Sequence, residues 1–332
     1  MQNSFQTQRS LFITEDSLDH QSLSALDSAD EVLNWVKLEK LMVKKIYASK
    51  TGRPSYPLLT LLRALLLGIW YQLSDEQLAN CLYRDLLFRK FCRLDLNNNV
   101  PDATTLGRFR QQLVNHRLWK KLLKEVNWQL NKKSIIMSEG KINIVDATPI
   151  EAAQSGSGNN KEGEAKRDPD AGWHVKQNSR GKKTSTYGYS IHASTDEDGF
   201  VLEQVVTAGN VHDSQVVDEL IQGDEVTLYA DGAYSSQALR AKLKRKGIKD
   251  GVQRKGYRGK PLSVADKKRN KLLGVTRAGV ERLFAQYKRG FGLARSRFLG
   301  LNKNETHYGL AAVANNIQKG ARFLERYGLP QG

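Results

Sequence analysis

The chain has 332 residues and carries 52 Lys/Arg against 35 Asp/Glu, a formal net charge of +17, enough length for two or three domains and a charge that points to a polyanionic partner, nucleic acid first. Its two cysteines, Cys81 and Cys92, exclude a disulfide framework and cannot build a metal site alone. The longest apolar stretch, residues 58–73, contains Arg63 and falls short of the roughly 20 residues a membrane span needs, while residues 1–8 have neither the basic start nor the apolar run of a secretory signal, so a cytoplasmic, nucleoid-associated protein with no membrane partner is expected.

Residues 1–34 hold six acids and one Arg and read as an acidic, partly ordered tail. Residues 35–135 read as a helical domain. Leu58, Leu61, Leu62, Leu65, Leu66, Ile69 and Trp70 follow the i, i+3, i+4, i+7 pattern of a buried helix face. Ser74 with Gln77 forms a capping box ahead of Leu78, Leu82 and Leu86. Pro101-Asp102 starts a further helix through Leu106, Phe109, Leu113 and Leu118, which presents Arg108, Arg110, Arg117, Lys120 and Lys121 on its other sides. Two short helices and a basic one are the parts of a helix-turn-helix DNA reader, with Arg108 and Arg110 as candidate DNA contacts. A plain bundle with a solvated basic face fits the same spacing.

From residue 140 to 325 the pattern becomes that of an α/β domain. Residues 142–147 read as a buried strand, 154–183 as a long polar loop, and 187–195 and 200–208 as strands paired around Asp196-Glu197-Asp198-Gly199. Asp213 is expected to cap a helix over Val216, Val217 and Leu220. Strand 226–230, helix 235–246 and strand 248–252 follow. A single helix is expected from Gly274 to Phe291, burying Val280, Leu283, Phe284, Tyr287 and Phe291. Residues 241–304 hold 20 Lys/Arg and 3 Asp/Glu, so this segment alone matches the whole basic excess.

Three acids stand out against these surroundings. Asp146 ends Ile-Asn-Ile-Val, Asp231 ends Val-Thr-Leu-Tyr-Ala, and Glu281 lies inside the most basic helix. Acids at strand ends lie on the rim of a sheet, where α/β proteins bind ligands. A regular helix puts Arg277, Glu281 and Lys288 within about 40° of one another. Three carboxylates brought together call for a compensating cation, and oxygen ligands suit Mg²⁺, with Mn²⁺ as a substitute. Two such ions activate the attacking oxygen and stabilise the leaving oxygen of a phosphoryl transfer, and Arg277 and Lys288 would hold phosphates. Taken singly, each Asp also reads as a turn former and Glu281 as a surface partner of Arg277. His212 reads either as a contact to a metal-bound water or the scissile phosphate, or as a residue ordering its own loop. Trp173 reads as a stacking candidate in the long loop.

The segments Ile-Val-Asp-Ala-Thr-Pro-Ile-Glu-Ala (144–152), Tyr-Ala-Asp-Gly-Ala-Tyr (229–234) and Arg-Ala-Gly-Val-Glu-Arg-Leu-Phe-Ala-Gln-Tyr-Lys-Arg-Gly-Phe-Gly (277–292) resemble the three blocks of bacterial insertion-sequence DDE transposases of the IS-five type, in an IS4-like superfamily. Leu-Ser-Asp-Glu-Gln-Leu (73–78), Val-Pro-Asp-Ala-Thr-Thr-Leu-Gly-Arg-Phe-Arg (100–110), Arg-Asp-Pro-Asp (167–170) and Gly-Asn-Val-His-Asp (209–213) extend the resemblance over residues 55–325. It implies an RNase H-like mixed sheet with flanking helices, preceded by an all-helical DNA-binding domain. It also implies a catalytic and metal-binding triad of Asp146, Asp231 and Glu281. The Arg, Glu and Lys of the signature Tyr-x2-Arg-x3-Glu-x6-Lys fall on Arg277, Glu281 and Lys288. Its Tyr position is Gly274, with Tyr234 and Trp173 as stand-ins. The implied protein binds terminal inverted repeats in double-stranded DNA as a homodimer, hydrolyses a phosphodiester and joins the freed 3′-hydroxyl to target DNA, with no covalent protein intermediate. Two rivals share parts of this reading: an RNase H-like nuclease or resolvase, and a non-catalytic DNA-binding regulator derived from a transposase.

Overall fold

A computed structural model describes residues 24–46, 55–136, 142–155, 167–177, 183–257, 259 and 261–328. The first layer is helical: α1 (Ser24–Glu31), α2 (Trp35–Val43), α3 (Leu58–Trp70), α4 (Asp75–Arg84), α5 (Leu86–Cys92), α6 (Ala103–Asn115) and α7 (Leu118–Lys132). Because α3 is apolar on every side, it lies at the centre, with Leu61 to Leu67 all buried. Its one charge, Arg63, pairs with Asp30 of α1, donates to the Phe91 carbonyl at 2.6 Å and lies 4.3 Å over the Trp35 ring. A charge this buried persists only when paired and hydrogen-bonded. The same pair docks α1, whose Leu26 and Ala29 are buried, so residues 24–34 are packed structure rather than loose tail. Residues 1–23 of the expected tail lie outside the described residues.

The capping box forms as expected, Ser74 Oγ accepting from Gln77 N at 3.2 Å and Gln77 Oε1 from Ser74 N at 2.9 Å. The expected basic helix does not run on through Leu118. It ends at Asn115, and Arg117 turns into the left-handed region (φ 46°) to start α7.

The second layer is a six-stranded sheet of β1 (Ile142–Glu151), β2 (Gly172–Gln177), β3 (Lys183–Thr195), β4 (Val201–Ala208), β5 (Thr227–Ala230) and β6 (Lys249–Val252). β3 holds β1 along one edge of residues 188–195; its other edge takes β2 against residues 183–188 and β4 against 189–195. β5 pairs parallel with β1, and β6 parallel with β5. Four strands paired antiparallel (β1 to β4), continued by two parallel ones, with helices on both faces, make an RNase H-like sheet. β2 was expected as loop. It lies within 154–183, of which residues 156–166 and 178–182 are outside the described residues. The helices after the second strand pair are α8 (Val217–Leu220), α9 (Gln237–Arg245), α10 (Val264–Thr276), α11 (Ala278–Ala285) and α12 (Leu301–Tyr327).

α12 joins the layers. It packs on α7, α1, α3 and α6 as well as on β4. Gly309 permits the approach, since a Cβ there would lie 2.2 Å from the Trp119 ring. Asn316 pairs with both main-chain groups of Val201 at 2.9 Å and with Asn127 Oδ1 at 2.7 Å. One hydrophobic core therefore runs from the helical layer onto one face of the sheet, reaching Ile144 and Ile191. A second core beneath α8 and α9 covers the other face at Val145, Leu228 and Ala230. The Arg-Asp-Pro-Asp segment is structural here. Asp168 accepts from Tyr189 Oη at 2.8 Å and Gly300 N at 3.0 Å, and Asp170 from Leu301 N at 2.8 Å at the start of α12. Among the described residues no helix is long and apolar enough to cross a membrane.

Candidate active site at the β1–β5 rim

The parallel pairing of β1 and β5 ends at Val145↔Ala230, so the next residue on each strand is an aspartate, Asp146 beside Asp231. Side chains alternate along a strand. Val145, Leu228 and Ala230 belong to the core under α8 and α9, while Ile144 and Tyr229 face the core under α12. Asp146 and Asp231 follow on that second face, which also receives α11. β1 itself does not end at Asp146 as expected, because β3 keeps it extended to Glu151. What gives out at Asp146 is the β5 neighbour, and this opens the rim.

Asp146 Oδ1 accepts from Ala147 N at 2.9 Å, and its Oδ2 takes the Arg277 Nη2 at 2.7 Å. Burial raises the Asp146 carboxyl above the usual range, Arg277 pulls it down and Asp231 pushes it up. Asp231 accepts from Ala233 N and so caps the 3-10 turn Gly232–Tyr234. Arg277 stands where α10 ends and α11 begins. A polar latch fixes this junction: Gln253, just past β6, accepts from Arg277 Nη1 at 3.4 Å and donates to the Asn270 carbonyl at 3.0 Å, and Arg269 donates to the carbonyls of Val252 and Asp250.

Glu281 lies one turn after Arg277 on α11, exposed, with Val280, Leu283 and Phe284 buried beneath it. The apolar stripe is as expected, but the single helix 274–291 is not. It breaks at Arg277, and residues Gln286–Gly290 form a π-turn. The extra residue per turn shifts the helical phase, so the equal-step placement of Lys288 beside Glu281 does not hold. Lys288 is half-buried, its ammonium pulled down by burial and by Lys176 of β2. Among the described residues no three His, Cys, Asp or Glu side chains converge closely enough to hold a metal. At the rim the cation facing Asp146 is the guanidinium of Arg277.

The remaining candidates fall into distinct places. Arg108 is exposed on α6. Arg110 is not available to DNA, being bound through both nitrogens to Asp75 of α4 at 2.7 and 2.6 Å and 4.9 Å from the centre of the Phe298 ring. His212, rather than Asp213, caps the turn Asp213–Gln215, with Nδ1 2.8 Å from Ser214 Oγ; it orders its own loop. Tyr234 is buried and cannot replace a Tyr at position 274 on the surface. Gly274 has open space around it, the nearest atom to a built Cβ being Gln253 Nε2 at 3.7 Å. Trp173 is half exposed on β2 with its ring 5.1 Å from that of Tyr187.

Sequence reasoning missed a group on the far face of β1. His192 of β3 is fully buried, its Nε2 3.0 Å from Thr207 Oγ1 and its Nδ1 3.6 Å from Asp213 Oδ1. Burial, then the neighbouring His174, lowers its pKa to about 4. Asp213 is raised by burial, drawn down by His212 and pushed up by Asp146 and Asp231. The residues come from separate elements, and only the Gly-Asn-Val-His-Asp segment hinted at them.

Residues 137–317 match the family model described as a transposase DDE domain, and residues 13–112 match one described as a transposase domain. Among solved structures, the Mos1 strand transfer complex matches at 10% identity over 94% of this chain and 98% of that one, with a TM-score of 0.19. The Mos1 paired-end complex with the left transposon end matches at 11% identity over 78% and 85%, with a TM-score of 0.20. The Mos1 mariner paired end complex with Mn matches at 11% over 80% and 87%, again at 0.20. At such scores the backbones do not superpose closely, and the fold stands on the strand order above.

Proposed function

Because this chain belongs to the DDE transposase family, a transposase that binds DNA ends and catalyses transposition with a divalent metal, we propose that Asp146, Asp231 and Glu281 are its catalytic acids and Mg²⁺ its working ion, with Mn²⁺ as a substitute. The observation that carries this is the register Val145↔Ala230, which sets two aspartates side by side on the face that receives α11. Two neighbouring carboxylates, one pushed up by burial, form an oxygen donor set that fits a hard divalent cation. Asp146 and Asp231 would hold it, and Glu281 would join from α11.

A bound cation there would activate water and stabilise the leaving oxygen of a phosphodiester. This chain's own residues do the rest. The β1–β5 pairing fixes the two aspartates, Arg277 balances Asp146 before the cation arrives, and the exposed Glu281 stands within one turn of it. Arg108 on α6 is offered as a contact to the terminal repeats and Lys288 as a phosphate contact. Handling two element ends together calls for a homodimer on DNA. The motif blocks favour the IS-five type within the family.

The test incubates protein with labelled element-end DNA and Mg²⁺. Asp146→Asn, Asp231→Asn and Glu281→Gln should each abolish nicking and leave DNA binding intact. Normal cutting by Glu281→Gln would remove it from the triad, and normal cutting by either aspartate variant would overturn the site.

A further inference from the structure

The end of α3 and the π-turn Gln286–Gly290 cap each other across the two layers. A helical run leaves its last carbonyls without partners in the run itself. At the π-turn, Phe291 N takes the Gln286 carbonyl at 2.8 Å and Leu293 N that of Tyr287 at 2.9 Å. The carbonyls of Arg289 and Gly290 accept instead from Gln72 Nε2, at 3.2 and 3.1 Å. In the other direction the Arg297 guanidinium donates to the carbonyls of Leu73 at 2.8 Å and Gln72 at 3.2 Å. This joint has a backbone cost. Gln72 lies in the left-handed region (φ 57°), which residues other than glycine adopt rarely. Gly292 faces it at φ 64°, and a Cβ there would lie 2.5 Å from Gln72 Oε1. Gln72 and Arg297 are both exposed, so their bonds compete with water and hold the layers together far less than the shared core does. A strained, solvent-facing joint clamped on one turn points to function rather than to stability. That turn carries Lys288, whose side chain is half-buried, so few directions are open to its ammonium and the backbone of the turn selects among them.

We propose that Gln72 is a positioning residue, whose side-chain amide fixes the π-turn so that Lys288 meets a DNA phosphate. The inference rests on the reading of Lys288 as a phosphate contact given above, and it needs no bound cation. The turn containing Gln72 runs directly into α4, whose Asp75 holds Arg110 of α6 through two bonds. The joint therefore ties the helix that bears Arg108 to the turn that bears Lys288. Phosphate contacts fix the register of a protein on a duplex, and the joint keeps one from each layer at a set spacing.

Binding of the full-length protein to a labelled element-end duplex is measured in EDTA over a range of salt, alongside melting temperatures. Gln72→Gly removes the amide and suits φ 57°, so it should melt no lower than wild type. It should nevertheless lower the slope of log affinity against log salt by about one unit, as Lys288→Ala does. Gln72→Gly exchanges one neutral residue for another, so it moves that slope only by taking a cation off a phosphate, which the loss of a merely structural bond does not do. The double variant should lose no more slope than either single one. An unchanged slope in Gln72→Gly, a second unit lost in the double variant, or a clearly lower melting temperature for Gln72→Gly overturns the inference. If Lys288→Ala lowers the slope while Gln72→Gly does not, only the role of Gln72 falls. If Lys288→Ala itself leaves the slope unchanged, the phosphate-contact reading falls and this inference with it.

Discussion

Replacing Arg277 with Gln tests whether the guanidinium is a counter-cation for Asp146 or a DNA contact. The pair is 2.7 Å long, with side chains 12% and 20% exposed. Opposite charges about 4 Å apart at an effective dielectric of about 20 attract by about 4 kcal/mol. Removing one partner of a buried pair typically costs about 3–5 kcal/mol, because the other charge is left uncompensated. Both side chains retain some water here, so the cost falls at or just below the bottom of that range, about 2–3 kcal/mol. In a chain of this size each kcal/mol shifts the melting temperature by roughly 2–3 °C. Arg277→Gln should therefore melt some 4–9 °C below wild type by calorimetry, and added Mn²⁺ should recover more of that loss than it adds to wild type. In Asp146→Asn, whose amide has no charge to balance, the same change at Arg277 should cost much less, and the double-mutant cycle reads the coupling directly. A melting temperature within 1 °C of wild type for Arg277→Gln, or additive single changes, would refute the pairing argument.

Two further outcomes follow from the charges. Arg108→Ala should weaken binding to element-end DNA and lower the slope of log affinity against log salt by about one unit; Arg110→Ala should leave that slope unchanged and lower stability instead, because it frees the half-buried Asp75. Asp196, half-buried at the β3–β4 turn with Phe200 N bound at 2.8 Å, has its pKa pushed up to about 7 by desolvation, so the folded chain keeps a proton that the unfolded chain releases near pH 4; stability from this group is full below about pH 4, falls by up to about 1.4 kcal/mol per pH unit up to pH 7 and is flat above. The advantage of Asp196→Asn in urea denaturation should accordingly grow from pH 4 to pH 7, and an advantage independent of pH would contradict the assignment.

Which of these features could be read from the chain depends on whether local pattern or distant packing decides them. An apolar run closed by an acid is local, so Asp146 and Asp231 stood out, as did the stripe Val280, Leu283, Phe284 on α11. The continuation of β1 past Asp146 depends on β3, some 40 residues away, and its polar sequence Asp-Ala-Thr-Pro gives no strand signal of its own. β2 was missed for a similar reason. It pairs along one edge and leaves Trp173 and Val175 exposed, so it lacks the alternation of a half-buried strand. The break at Arg277 is set by the latch of Gln253, Asn270 and Arg269, which no helix propensity encodes. Arg63 looked like an interruption in an apolar helix, and only Asp30 on α1 reveals it as the anchor for the amino-terminal segment.

The basic block and the acids it surrounds have opposite effects on a phosphate chain, and their balance links DNA binding to the cation. Within residues 241–304 several cations are bonded internally, but not all are neutralised. Arg269 gives its bonds to main-chain carbonyls, which leaves its charge intact, whereas Lys242 and Arg254 pair with Asp218 and Asp266. The block therefore keeps a large positive excess, which favours DNA regardless of sequence. If DNA is cut at this rim, as proposed above, Asp146 and Asp231 repel the phosphate there. Arg277 offsets one of those charges and leaves the other, so a divalent cation placed between them removes the remaining repulsion. A ligand that relieves repulsion toward a second ligand must bind more tightly in its presence, and the coupling is reciprocal. On this argument DNA ends and divalent cation strengthen each other's binding at the rim, with Arg277 as the group that keeps the free protein from carrying two uncompensated carboxylates there.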